Sequence, residues 1–396
     1  GRARAKLFLI IVLVGTFAAT ALFYTRDVTV KLLPFDNKSE LQVVVDLPEG
    51  ASLEATDRVL KQAADALTGL PELSHIQAYA GTSMPFNFNG LVRHYYLRDK
   101  PELGDLQINL SPKHERDRES HDIALEVRER LKGLDVPLGT SIKVVEVPPG
   151  PPVLSTLLAE IYGPTQEARR ASAAQVRKIF EETDFIVDVD DSFGAPQQRM
   201  RIEIDQENLE FHGVEEQAVY DTIGALLGGV RVGYSHRGGG AEPVEIVVRL
   251  PKSALTLNER LLSTPVPARG GVVELGDVVS LMSEAASFPL FRRDGRNAEM
   301  VTAELAGQFE APIYGMLAVE AAIEAANWEK GTKPAILYHG QPKDESVTSL
   351  LWDGEWEVTF VTFRDMGAAF AVAILGIYLL VVGQFGSFKL PLVILT

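Results

Sequence analysis

The sequence predicts an α+β protein: two ferredoxin-like βαββαβ units, the second split by an α+β insertion, flanked by membrane-crossing helices. Three observations predict it. An uncharged apolar run stands near each end of the 396 residues. Between them, Val-rich strand patterns and amphipathic helical periods alternate in the order β-α-β-β-α-β. After a proline-rich stretch the order restarts, and its second half is delayed by ~100 residues.

Leu7 to Thr25 is 19 consecutive uncharged residues, about 28 Å of helix against a roughly 30 Å hydrocarbon core. Met366 to Phe388 is a second uncharged run, of 23 residues. Arg2, Arg4 and Lys6 keep the first end cytoplasmic by the positive-inside rule, so the middle lies outside and the chain returns near Lys389. Tyr24 and Tyr378 are candidate interfacial aromatics, although Tyr378 lies deep enough in its run to serve packing instead. A signal peptide cut at Ala19-Thr20-Ala21 is the alternative for the first run. That run exceeds the usual ~7–15-residue apolar region, and the chain begins with Gly. The second run is too long and uncharged for a buried core helix. The closing Leu390-Pro391-Leu392-Val393-Ile394-Leu395-Thr396 reads as the start of another apolar helix, hence as a fragment of a longer membrane protein.

Leu41–Leu47 is a strand ended by Pro48-Glu49-Gly50. Ser52 caps a helix to about Thr68 with Leu53, Val59, Leu60, Ala63 and Leu67 on one face, and Gly69 and Pro71 end it. Strands follow at Leu73–Ala80 and Leu106–Leu110. Ser120 opens a helix carrying Ile123, Val127 and Leu131, and Ser141–Val147 is the last strand of the unit. The run Val147 to Pro152 is a stiff linker. The second unit has a strand at Leu157–Tyr162, a helix at Thr165–Glu182 and a strand at Phe185–Val189. It resumes with Glu299–Ala306, a helix Pro312–Trp328 with Pro near its first turn, and a last strand at Pro334–His339. The insertion, about 196–288, has strands at Met200–Ile204, Val230–Tyr234, Val244–Leu250 and Val272–Val279 and a helix at Val214–Leu227.

Acidic residues number 54 against 38 basic, a net charge of −16. Residues 1–26 carry four basic and no acidic groups and 366–396 one basic and none acidic, so 27–365 carries −21. That balance argues against a nucleic-acid binder, favours cations electrostatically and also serves solubility. With no cysteine, a disulfide scaffold, a Cys-ligated zinc and a thiol nucleophile are excluded. The seven histidines are scattered. His114 and His121 flank a charged stretch with no paired metal-ligand spacing, which reads as a solvated helix entry. Asp188-Val189-Asp190-Asp191-Ser192 lacks the Gly and closing Glu of a calcium loop and reads as a strand running into a turn. Gly228-Gly229 and Gly238-Gly239-Gly240 lack the Lys of a phosphate loop and read as hairpin tips. No Gly-x-Ser-x-Gly is present. No enzyme activity and no cofactor are expected. The segment Gly81 to Gly90 differs: a loop holding Met84, Phe86 and Phe88, whose side chains suit varied apolar ligands or plug their own domain.

Several stretches together resemble the resistance–nodulation–division (RND) transporters, hydrophobe/amphiphile efflux branch. They are Leu33-Pro34-Phe35-Asp36, Leu47 to Glu54, Ile202-Glu203-Ile204-Asp205-Gln206-Glu207 with Gly213-Val214, Val273 to Val278, and Gln384 to Pro391. The resemblance implies a C-terminal-half periplasmic region in a bacterial inner membrane. It divides the chain into a transmembrane helix with its cytoplasmic flank (1–26), a first porter subdomain (27–147), the first half of a second (148–195), a docking subdomain (196–288), the second half of the second porter subdomain (289–362) and a transmembrane helix with the start of the next (363–396). It implies a homotrimer that exports hydrophobic or amphiphilic small molecules, meets membrane lipids, and works with a periplasmic adaptor and an outer-membrane channel.

By the same resemblance, Met84, Phe86 and Phe88 match the family's switch loop, and Thr156–Ile161 a strand lining the substrate cleft. Alternation puts Leu157, Ala159 and Ile161 on one face and Thr156, Leu158 and Glu160 on the other, and the second set is assigned to the cleft. Thr156 and Glu160 depart from the family's aromatics. Glu160 then either favours cationic amphiphiles, with Glu160→Gln weakening export of cations more than of neutral compounds, or is solvated. The family's proton relay uses intramembrane ionisable residues; neither span holds an Asp, Glu, Lys or His, so that relay lies elsewhere. The six dispersed Met residues disfavour the metal-exporting branch. A two-span sensor with a ligand-binding ectodomain is the alternative function, and a secretion-accessory relative without the insertion is a third.

Overall fold

The computed structural model describes residues 2–29, 31, 36–147, 152–194, 198–237, 243–251, 255, 259–286 and 289–395. Most of the Pro-rich linker, Leu33-Pro34-Phe35 and Gly238-Gly239-Gly240 lie outside the described residues. The chain divides into two compact units, one of Gly1–Ala195 with Phe288–Thr396 and one of Pro196–Ser287.

The first unit opens with helix α1 (Arg2–Thr25), apolar along its length and unburied. The first βαββαβ repeat follows as β1 (Glu40–Asp46), α2 (Leu53–Leu67), β2 (Leu73–Ala80), α3 (Phe88–Val92), β3 (Leu103–Leu110), α4 (Ser120–Leu131) and β4 (Ser141–Val145). The strands form one antiparallel sheet in the order β2-β3-β1-β4. Alternation along β1 and β3 sends Leu41, Val43, Val45, Leu106 and Ile108 to one face. There they meet Val59, Leu60 and Ala63 of α2 and Ile123 and Val127 of α4. Ser52 caps α2 as its sequence position predicts, accepting from the Ala55 N–H at 3.2 Å.

The second repeat starts with β5 (Leu157–Tyr162), α5 (Gln166–Glu181) and β6 (Ile186–Asp191). The chain then enters the other unit. There β7 (Gln198–Ile204) is followed by α6 (Gln206–His212), α7 (Glu216–Gly228), β8 (Val230–Ser235) and β9 (Val244–Val248). The unit continues with α8 (Glu259–Leu262), β10 (Pro265–Ala268), β11 (Gly271–Glu274) and β12 (Val279–Ala285). β7 pairs with β12, β8 with β9 and β10 with β11, all antiparallel. The core holds Leu209, Val219, Val266, Leu275 and Val278. Asp205 caps α6, an element absent from the sequence expectation. Gly228 and Gly229 end α7 rather than forming a hairpin tip.

Back in the first unit, the short hairpin β13 (Arg292–Arg293) and β14 (Arg296–Asn297) leads to β15 (Glu299–Leu305), α9 (Pro312–Ala325), β16 (Ala335–Leu337) and β17 (Ser349–Gly354). The sheet order is β16-β17-β5-β15-β6. The second repeat therefore has the strand arrangement of the first, with β17 as its fourth strand. The Pro334–His339 strand of the sequence reading is only an added edge, parallel to β17. Antiparallel pairing with β5 belongs to β17, whose Leu350 and Trp352 join the core on the face of Leu157, Ala159 and Ile161. Trp352 stacks on Phe180 at 6.2 Å and donates its indole N–H to Glu320 at 2.8 Å. Directly after Gly354 runs α10 (Glu355–Phe385), again unburied through its apolar part, and then α11 (Lys389–Leu395).

Candidate functional site

The two sheets of the first unit meet near their edge strands β4 and β6, and charged side chains bridge the seam. Arg128 Nε lies 3.1 Å from Asp188 Oδ2, Lys143 pairs with Asp190, and His121 Nε2 lies 3.4 Å from Glu310 Oε2. Each of these cations also faces an acid of its own repeat: Arg128 faces Glu146 at 3.4 Å, Lys143 faces Asp46 at 3.0 Å, and His121 faces Glu146 at 3.0 Å. A cavity of about 890 Å³ opens beside the seam, lined among others by Leu125, Glu129, Ile142, Phe185, Val187 and Gly307.

Backbone geometry aims one of these acids. Asp188 adopts φ 55°, where a β-bulge interrupts pairing of β6 with β15 between Thr302 and Glu304. A bulge turns a side chain out of the regular alternation, and here the Asp188 carboxylate turns to Arg128. Burial pushes the Asp188 carboxyl up, against the pull of Arg128. For Asp46 burial works the same way, but Lys143 and Arg98 beside it leave the pKa below the ordinary value. His121 is raised by its hydrogen bond to Glu146, against burial. The expected solvated helix entry is thus corrected: His121 is partly buried and tied to acids of both repeats.

The segment between β2 and β3 reaches across the same seam. It is not a plain loop, as expected, but holds α3 and a 3-10 turn, Tyr95–Leu97. Asn87 caps α3, accepting from Gly90 N–H at 2.7 Å and donating to Glu40 at 2.8 Å. Met84 is buried and its N–H donates to Asp105 at 3.2 Å, so it anchors the segment rather than presenting itself. Phe86 is 76% exposed, and Phe88, Leu91, Tyr96 and Leu97 are also exposed. From their midst Arg93 passes to the second repeat, with Nη1 2.6 Å from Glu304 Oε1. Burial lowers the Arg93 pKa, but Glu304 outweighs it and the net shift is upward.

Glu304 also accepts the Thr156 hydroxyl at 2.6 Å. The face of β5 assigned to the cleft therefore divides. Thr156 joins the bridge to the β2–β3 segment, whereas Leu158 is sealed. Glu160 neither lines the open seam nor is solvated: it is 1% exposed, beneath Arg293 at 3.1 Å, and accepts the Tyr162 hydroxyl at 2.6 Å. It borders a separate cavity of about 430 Å³ with Asp353 and the head of α10. Burial, with the facing Asp353, pushes Glu160 up to about 8. The residues that link the two predicted sets, Arg93 and Glu304, were missed. Alternation sets Glu304 with Thr302 on the face of β15 opposite Val301, Ala303 and Leu305, so neither it nor Arg93 carried a signal of burial.

The family model of the AcrB/AcrD/AcrF family matches residues 3–396. The chain belongs to this family of RND efflux transporters. Two crystal forms of a heavy metal efflux pump superpose on it with TM-scores of 0.73 and 0.72. Their identities are 17% and 16%, over 96% and 94% of this chain and 38% and 36% of theirs. Protein HelA of Legionella pneumophila is 22% identical over 254 residues, 62% of this chain and 22% of that protein. The chain thus spans less than two-fifths of the length of these relatives. Members of the AcrB/AcrD/AcrF family are inner-membrane transporters, and α1 and α10 are long and apolar enough to cross a membrane.

Proposed function

We propose that this chain is the substrate-handling part of an RND pump exporting hydrophobic or amphiphilic compounds. In this reading the two βαββαβ repeats are the porter subdomains, 27–147 and 148–195 with 289–362, and residues 196–288 form the docking subdomain. Proton flow through membrane helices outside this chain drives the cycle. The whole protein works as a homotrimer with a periplasmic adaptor and an outer-membrane channel, meeting its substrates from the periplasm or the lipid.

One observation carries the reading. Phe86, Phe88, Leu91 and Leu97 stand exposed on the segment that Arg93 pins across the seam. Contiguous exposed apolar side chains mark interaction surfaces, and a seam held by ion pairs between two separate apolar cores permits rigid-body opening. The solved relatives are described as heavy metal pumps, which makes metal export the competing outcome. Among the described residues no three of His, Asp and Glu converge to hold a metal, and the Met residues stay dispersed along the sequence.

The test is dye accumulation in pump-deficient cells carrying the full-length parent, intact or with Phe86→Ala/Phe88→Ala. Low accumulation that rises in the double variant supports the reading. A parent that is expressed, leaves every dye untouched and restores growth in copper or zinc transfers the pump to metals. No effect in either assay overturns both the amphiphile and the metal reading.

A further inference from the structure

We propose that Glu304 and Thr156 form a recognition site for the charged end of cationic amphiphiles, and that Arg93 is its resident occupant, displaced when such a ligand enters. The proposal rests on the efflux reading above and names its substrate class.

The site is built from two neighbouring strands. Glu304 on β15 and Thr156 just before β5 are 8% and 3% exposed. One carboxylate oxygen takes the Thr156 hydroxyl and the other takes Arg93, each at 2.6 Å. Thr156 thus orients the carboxylate from within its own sheet, and the cation arrives from a different subdomain. Arg93 itself comes on a segment that pairs a guanidinium with the exposed Phe86, Phe88 and Leu91. That is the chemistry of a cationic amphiphile, supplied in cis.

Exchange, rather than simple opening, follows from the charge balance. Glu304 interacts electrostatically with Asp188, another buried acid of the same seam. Withdrawing Arg93 leaves two nearby cations that already face other acids: Arg128 is committed to Asp188 and Glu146, and Lys31 to Glu310 and the half-buried Glu355. A buried carboxylate stripped of its cation is strongly disfavoured unless another replaces it. A cationic amphiphile supplies that replacement, while a neutral or anionic one leaves the charge bare. Discrimination then arises from the penalty against the wrong ligand as much as from attraction to the right one. The −21 charge of residues 27–365 raises the local concentration of cations in the same sense.

The experiment uses the purified full-length parent and its variants, titrated by fluorescence anisotropy with ethidium (cationic) and Nile red (neutral), alongside efflux of both dyes from pump-deficient cells. Glu304→Gln is expected to weaken ethidium binding by about tenfold or more and to leave Nile red within about twofold. Arg93→Ala, which vacates the carboxylate, is expected to tighten ethidium binding several-fold. Because Glu304→Gln strands a buried guanidinium, Arg93→Ala/Glu304→Gln is the second probe: it is expected to bind ethidium as weakly as Glu304→Gln. Equal losses for both dyes in Glu304→Gln, or double-variant binding as tight as Arg93→Ala, overturn the site. If the intact parent exports neither dye, the efflux reading falls on its own, while the anisotropy titration still decides whether Glu304 selects cations.

Discussion

The two βαββαβ repeats share one strand order and differ most in what joins their second strand to their third. In the first, that connection is residues 81–102, a segment with one short helix that sends Arg93 out to the neighbouring sheet. In the second, the same connection is interrupted by the whole of the separate unit, Pro196–Ser287. Both insertions leave the sheets intact because β2 and β6 are edge strands, so added chain exits without breaking a ladder. The comparison teaches that this topology has one permissive slot. A duplicated fold can fill it once with a short segment that bridges to the neighbouring sheet and once with a domain.

If the repeats are separate folding cores, damage to one should stay there. Trp352→Ala removes the largest fully buried side chain of the second repeat and is expected to cost about 3–5 kcal/mol. Hydrogen exchange on the full-length protein should then rise in β5 and β17 and stay unchanged in β1 and β3. Loss of protection in both sheets together would break the comparison. The seam comes next. Arg128→Ala leaves Asp188 and Glu146 buried without their guanidinium and is expected to cost about 3 kcal/mol, with increased exchange at β4 and β6 in thermal and exchange measurements.

A pH series sharpens the difference between the acids of the two repeats. Burial and Asp353 push Glu160 up to about 8 from 4.5, so the folded state holds a proton that the unfolded chain releases. That contribution is complete below pH 4.5 and is lost as pH rises through about 8. Between about pH 5 and 9 the parent Tm is expected to fall by a few degrees relative to Glu160→Gln. Parallel curves would count against the raised Glu160. The smallest effect tests equivalence. Ser52 and Thr165 cap the first helix of each repeat with the same 3.2 Å bond to the third helical N–H, so either one changed to Ala is expected to cost about 1 kcal/mol. Unequal losses would mean that the two helices fold in different contexts.

The fold was legible because periodicity and caps are local. Ser52, Thr165 and Pro312 start helices where their types predict, and both membrane-length helices follow from uncharged runs. The fourth strand of the second repeat was not: Pro334–His339 and Ser349–Gly354 are both short apolar runs, and only pairing with β5 distinguishes them. The ion-pair cluster across the seam was only partly legible for a related reason. The resemblance pointed to the strand and alternation grouped Thr156 with Leu158 and Glu160, but the partner Glu304 lies on β15 and the cation on a segment 211 residues before that partner. Burial of Glu160 likewise depends on Arg293 and Asp353, which arrive from beyond the insertion. Long-range convergence of charge leaves no local period to detect.

The join at Gly354 has a mechanical corollary. β17 ends at that residue and α10 begins at the next, whereas 14 residues separate α1 from β1. Gly354 sits at φ 72°, and a Cβ there would meet the Ser155 carbonyl oxygen at 2.6 Å, so the turn has no slack and no room for a side chain. A helix of 31 residues at 1.5 Å each is a rod of about 46 Å. With Gly354 as fulcrum, each degree of tilt moves its far end by about 0.8 Å. Such a rod, joined to β17 without an intervening loop, couples any tilt directly to the sheet that carries Glu160, Thr156 and Glu304.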